Sequence, residues 1–199
     1  VNVQGESGRV EAGGVHAGRG CTYTGDIEVQ AENDNEGNVS AYGGFGEDCH
    51  MEGDVTLMSG EGIAQIYGLG GTGSSMEGNL HAEGAGEVYA VGMSDSVAGY
   101  NPSVVGHVKD SLFTGNVTVK AQKHISVTGI ENGESSQFNG NIHAVSSEDS
   151  VYATGMTDTS GSFFYGEVSA RGNSSEQVRV YGDTTGSGNS ENNYFKGNI

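Results

Sequence analysis

Few residues in this chain are of types that do chemistry, so their spacing decides what they can do. There are six histidines, His16, His50, His81, His107, His124 and His143, two cysteines, Cys21 and Cys49, and 26 acidic residues. A structural or catalytic zinc needs three or four converging ligands, and no Cys-x-x-Cys pair offers them. His81 and His143 occupy equivalent places in a repeat described below. One intervening copy, carrying Thr118, holds them roughly 10 Å apart, too far to share an ion.

Calcium suits acidic chains better. The glycine-rich calcium nonapeptide requires an aspartate that Gly70-Gly71-Thr72-Gly73 lacks. Asp95 and Asp158 follow equivalent Gly-Met-Ser and Gly-Met-Thr segments, and Asp26 and Asp54 fall in one column. These four are the only calcium candidates. The competing reading is aspartates that bond to their own backbone in turns, so no cofactor is expected.

Carbohydrate cleavage needs paired carboxylates on one face. The outward column Glu11, Ser40, Gln65, Tyr89, Ser126, Tyr152, Arg179 has one acid and no pair, though Tyr89 and Tyr152 could stack on sugars. Nucleic acid is excluded as a partner by a net charge of -18, since only clustered Lys and Arg displace its counterions. No apolar run approaches membrane-spanning length.

What positions these residues is a repeat of about 25 residues. Aligned on Gly25, Gly53, Gly78, Gly115, Gly140, Gly166 and Gly197, a large residue stands two places earlier: Tyr23, Met51, Met76, Phe113, Phe138, Phe164 and Phe195. Two places later stand Ile27, Val55, Leu80, Val117, Ile142, Val168 and Ile199. A second segment runs Val39-Ser40-Ala41 before Gly43, Val151-Tyr152-Ala153 before Gly155, and likewise in every copy. Its period of two marks a strand with one buried face, and no helical stripe competes.

Two short strands per copy, matched position by position, predict an all-β fold: a parallel β-helix or β-solenoid of about seven coils, one domain over 1–199. Equivalent residues then stack about 4.8 Å apart and form internal ladders. The interval Gly92 to Gly115 is 23 residues where Gly68 to Gly78 is 10, which predicts a loop insertion near 94–110. Insertions of this kind often bind, and Tyr100, Asn101 and Pro102 are its candidate contacts. Cys21 and Cys49 share a column that later reads Ser74, Ser111, Ser136, Ser162 and Asn193. Stacked neighbours have Cα spacings a disulfide can span, so a Cys21–Cys49 bond and an oxidising, extracellular location are expected.

The repeat Phe-x-Gly-Asn-Ile-x-Ala…Val-Tyr-Ala-x-Gly-Met resembles the glycine-rich β-helical repeats of bacterial autotransporter passengers and related large surface adhesins. That resemblance implies an extracellular or cell-surface rod, structural or adhesive and not an enzyme, with binding residues on sheet faces or inserted loops. The chain opens and closes partway through a coil, so its expected partners include neighbouring coils, of this chain or of identical chains end to end. Glycans or host cell surfaces are the other expected partners. The alternatives are an end-to-end filament or sheath subunit, and a carbohydrate-binding or carbohydrate-cleaving β-helix.

Overall fold

A computed structural model describes residues 1–5, 9–32, 38–95, 108–173, 177–185 and 190–199. The candidate loop residues Tyr100, Asn101 and Pro102, and His107, lie outside them.

The described residues contain strands and no helix, wound into three parallel sheets of seven strands each, with one further parallel pair of two-residue strands. The first sheet is built from Asn2–Gly5, Ile27–Ala31, Val55–Ser59, Leu80–Gly84, Val117–Ala121, Ile142–Ser146 and Val168–Arg171. The second is built from Val10–Arg19, Asn38–Glu47, Ile63–Gly70, Val88–Ser94, Ile125–Glu131, Val151–Thr157 and Val178–Thr184. The third has three-residue strands: Thr22–Thr24, His50–Glu52, Ser75–Glu77, Leu112–Thr114, Gln137–Asn139, Phe163–Tyr165 and Tyr194–Lys196. Each strand pairs with its equivalent one coil on, so the molecule is a β-solenoid.

Each coil therefore has three sides, where the sequence pattern suggested two strands. The difference lies at the repeat glycine. Large-x-Gly-x-aliphatic reads as one alternating strand, but Gly25, Gly53, Gly78, Gly115, Gly140 and Gly166 have φ between 134° and 155°. Only glycine adopts that conformation freely. The chain turns a corner there, so the aromatic belongs to the third sheet and the aliphatic to the first.

Pairing is in register, apart from one shift between His16 and Gly18 where Val10–Arg19 meets Asn38–Glu47. Phe113, Phe138, Phe164 and Phe195 lie over one another, as do Leu80, Val117, Ile142 and Val168. The phenyl rings stack at 4.8, 4.9 and 5.0 Å between centroids with planes within 9°. That spacing is the strand repeat itself. Ile27, Val55, Met51 and Met76 continue the buried columns, while Tyr23 and Phe195 are partly buried in the terminal coils. The phenyl rings need room, and the second sheet provides it through its own glycine column. A Cβ on Gly92 would lie 2.6 Å from the Phe138 ring, and one on Gly129 would lie 2.8 Å from Phe164.

Another corner, unmarked in the sequence pattern, precedes the third sheet. Gly20, Asp48, Gly73, Asp110, Ser135, Gly161 and Asn192 form one column, all with φ between 50° and 65°. Left-handed backbone is tolerated best by Gly, Asn and Asp, which accounts for most residue types there. The insertion rejoins the stack at Val108–Lys109, which pairs with Gly133–Glu134, and Val108 is buried in the core.

Candidate functional site

Two polar ladders run along the corners and absorb the two cysteines and two of the four aspartates singled out for chemistry. In the first, Ser74, Ser111, Ser136 and Ser162 are buried. The backbone N–H of Cys49 donates to Ser74 Oγ at 3.1 Å, that of Ser74 to Ser111 at 3.3 Å, and that of Ser111 to Ser136 at 3.3 Å. Ser136 donates likewise to Ser162 at 3.2 Å, and Ser162 to Asn193 Oδ1 at 3.0 Å. Each donor lies one coil before its acceptor. The serine hydroxyls donate in turn to carbonyls, Ser136 to Glu134 two residues back at 3.0 Å and Ser74 to Gly46 of the preceding coil at 3.1 Å.

Cys21 and Cys49 occupy this column as free thiols, which corrects the expected disulfide. In a parallel in-register ladder the Cα–Cβ vectors are parallel, so Cβ atoms repeat at about the strand spacing of 4.8 Å, whereas a disulfide needs about 3.8 Å. Each thiol instead takes the place of a serine hydroxyl, directed at the carbonyl two residues back: Arg19 at 3.6 Å and Glu47 at 3.4 Å. Burial pushes the Cys49 thiol up from its ordinary value. Thiol titration of the unfolded, unreduced protein is expected to find both cysteines free.

The second ladder uses Asp26, Asp54, Asn79, Asn116 and Asn141. The backbone N–H of Asp54 donates to Asp26 Oδ1 at 3.0 Å, that of Asn79 to Asp54 at 2.7 Å, and that of Asn116 to Asn79 at 3.0 Å. Asn141 donates to Asn116 at 3.0 Å, and Glu167 to Asn141 at 2.9 Å. Here each donor lies one coil after its acceptor. Asp26 and Asp54, read as calcium candidates, are therefore acceptors in a backbone ladder.

Asp95 and Asp158, the other calcium candidates, flank a column with Asn132, whose amide donates to Asp95 Oδ1 at 3.0 Å. Beside them Glu131 accepts from Ser94 Oγ at 2.9 Å. Among the described residues, no group of three or more His, Cys, Asp or Glu is placed to hold a metal. Burial pushes the Glu131 carboxyl above the ordinary carboxylate range; Ser94 opposes the shift, and the charges of Asp95 and Asp158 add to it. Glu131 thus binds a proton more tightly folded than unfolded. Its favourable contribution is complete below the unfolded value of about 4.3 and is lost as pH rises through the higher folded value. Glu131→Gln is accordingly expected to raise the melting temperature at pH 7, with the gain closing as pH falls toward 4, measured by thermal melts across pH.

His81 and His143 sit on the outward face of the first sheet with Thr118 between them, as the spacing required. A pair not anticipated from the sequence is His81 Nε2 with Glu83, 3.4 Å apart, where Lys120 also meets Glu83 at 2.8 Å.

On the outward face of the second sheet, Tyr89, His124, Tyr152 and Arg179 follow one another along the stack. His124 lies 6.2 Å from Tyr89 and 5.3 Å from Tyr152, and the Arg179 guanidinium sits 5.2 Å from the Tyr152 ring centroid. His124 and Arg179 belong to the coils before and after Tyr152. Tyr152 thus has a tilted imidazole beside it from the coil before and a guanidinium over its ring from the coil after.

A different aromatic group is open. On the outward face of the third sheet Phe163, Tyr165 and Tyr194 have ring centroids 6.0–6.4 Å apart. Gln137 and Asn139 lie beneath Phe163 and Tyr165, and Lys196 lies over Tyr165. The alternation of Phe163 with the buried Phe164 carries the only sequence signal for this group, and core periodicity alone hides it.

No protein-family model, no curated protein and no solved structure matches this chain. Its faces and ladders carry the functional reading alone.

Proposed function

We propose that the chain is a non-enzymatic structural and adhesive solenoid of a cell surface or the extracellular space. What supports this reading is the continuity of its columns. Side chains of like size repeat through the coils on three sheets, and two polar ladders bind each coil to the next. Such a stack holds its outer faces at fixed spacing, a flat repetitive surface suited to contact. The acidic excess keeps that surface dispersed. The test is retention under flow: beads coated with the chain are expected to hold on glycan-coated or cell-covered slides. Beads that adhere to neither surface would overturn the reading, as would release of reducing ends from acidic polysaccharides by the soluble chain.

A second reading, stacking onto a further coil, is favoured by one observation. Val178 is 41% exposed and Ile199 68% exposed, although their columns are fully buried in the preceding coils at Val151 and Val168. The outer edge of Val178–Thr184 has no strand paired to it among the described residues. A further coil of the same kind would cover both, whether from this chain's continuation or from another copy. Light scattering over a concentration series, with negative-stain imaging, reads this out: fibres support stacking between copies and a constant monomer mass counts against it.

A further inference from the structure

We propose that the outward face of the third sheet over Gln137–Lys196 binds a glycan through a carboxylate-bearing pyranose; this rests on the adhesive reading above and names its ligand. Six side chains make three rows of two: Gln137 and Asn139, Phe163 and Tyr165, Tyr194 and Lys196. Phe163 is 40% exposed and Tyr194 49% exposed. In earlier coils the column of Phe163 and Tyr194 is occupied by Thr22, His50, Ser75, Leu112 and Gln137, with no aromatic ring other than the His50 imidazole. The other phenylalanines among the described residues are buried or packed against the core, at Phe45, Phe113, Phe138, Phe164 and Phe195. An open phenylalanine beside two tyrosines on a flat sheet is the kind of exposed aromatic patch that marks an interaction site.

The composition of the rows selects the ligand. The planes of Phe163 and Tyr165 lie within 5° of each other, and Tyr194 closes a triangle at 6.3 and 6.0 Å. Aromatic faces accept the apolar C–H face of a pyranose while the tyrosine hydroxyls stay available for hydrogen bonds. Gln137 Nε2 donates to Asn139 Oδ1 at 2.7 Å, which orients the Gln137 carbonyl oxygen and the Asn139 amide protons to serve sugar hydroxyls. At strand spacing the three rows span about 10 Å, room for two sugar rings. Lys196, in the row with Tyr194, adds a positive charge on a chain of net charge -18. Its ammonium is the one charged group among the six side chains and is complementary to a carboxylate on the sugar at contact range, against the screened negative field of the rest of the chain. A purely apolar protein partner would gain nothing from the amide row or from Lys196.

Titration calorimetry of the full chain tests this with hyaluronan and oligogalacturonate tetrasaccharides against the neutral cellotetraose and xylotetraose. At least one acidic tetrasaccharide is expected to bind, about tenfold more tightly than the neutral ones. Phe163→Ala with Tyr194→Ala is expected to weaken that binding at least about tenfold without shifting the melting temperature, because both rings are exposed. Lys196→Gln is expected to bring acidic and neutral ligands level. The proposal is overturned if no tetrasaccharide binds, if neutral ones bind as well as acidic ones, or if the double variant binds like the parent. Parent and double-variant beads that adhere equally under flow would remove this site alone. Parent beads that adhere nowhere would remove the adhesive reading itself.

Discussion

Gly140→Ala is expected to destabilise the solenoid by about 3–5 kcal/mol, the sum of backbone strain and a clash that side chains cannot relieve. Gly140 has φ 155°, and a Cβ there would run into the backbone carbonyl of Gly115 in the preceding coil. The obstruction is backbone, so relief requires the two coils to part, and with them the Phe113–Phe138 stack and the first-sheet pairing on either side. A control separates strain from collision. Gly20 also has positive φ, 61°, but a Cβ there meets no atom within 4 Å, so Gly20→Ala is expected to cost only about 1 kcal/mol. Denaturant melts of both variants measure the difference. Equal losses would mean that the close approach at the repeat glycine is not what restricts this position to glycine.

Phe138→Ala is the second large effect, about 3–5 kcal/mol, in the range for a fully buried ring replaced by methyl. Phe138 stacks on Phe113 below and Phe164 above and lies on the Gly92 backbone, so its removal leaves a void with three unfilled walls. No neighbouring side chain is free to fill it, because the adjacent rings are fixed at the strand spacing by their own sheets. Phe138→Leu retains most of the volume and is expected to lose roughly half as much. Phe163→Ala, one residue from the buried Phe164 but on the open side, is expected to change stability by no more than about 0.5 kcal/mol. Chemical denaturation of the three variants orders them, and a Phe138→Ala loss no larger than that of Phe163→Ala would contradict the internal stack.

The two faces of one strand also show how much could be read in advance. The inward columns were legible because burial on a parallel ladder imposes like size on like at equal spacing, and Phe138, Phe164, Ile142 and Val168 obey it residue by residue. Three-sidedness was not legible. Gly140 separates two strands, yet its neighbours Phe138 and Ile142 keep the alternation of a single one. The left-handed column through Asp48, Asp110, Ser135 and Asn192 was hidden because several residue types satisfy it. The cysteines misled for a geometric reason: sharing a column guarantees proximity, but a parallel in-register ladder repeats Cβ atoms at about 4.8 Å where a disulfide needs about 3.8 Å. On the outer faces no packing partner dictates identity, so the open triangle of Phe163, Tyr165 and Tyr194 left nothing to read beyond the alternation of Phe163 with Phe164. The polar column of Asp26, Asp54, Asn79, Asn116 and Asn141 was visible as a column, but only coordinates show that backbone amides occupy its acceptor oxygens.

The opposite sense of the two polar ladders bears on how long such a molecule can become. In the serine ladder N–H bonds point toward the C-terminal end of the stack, and in the aspartate–asparagine ladder they point toward the N-terminal end. Their dipoles oppose one another, unlike those of a helix, which add along its axis. Added units therefore build up little axial polarity from these side chains, and neither tip is made more strongly charged by growth. Gene duplication could lengthen or shorten the array without an electrostatic penalty that scales with copy number.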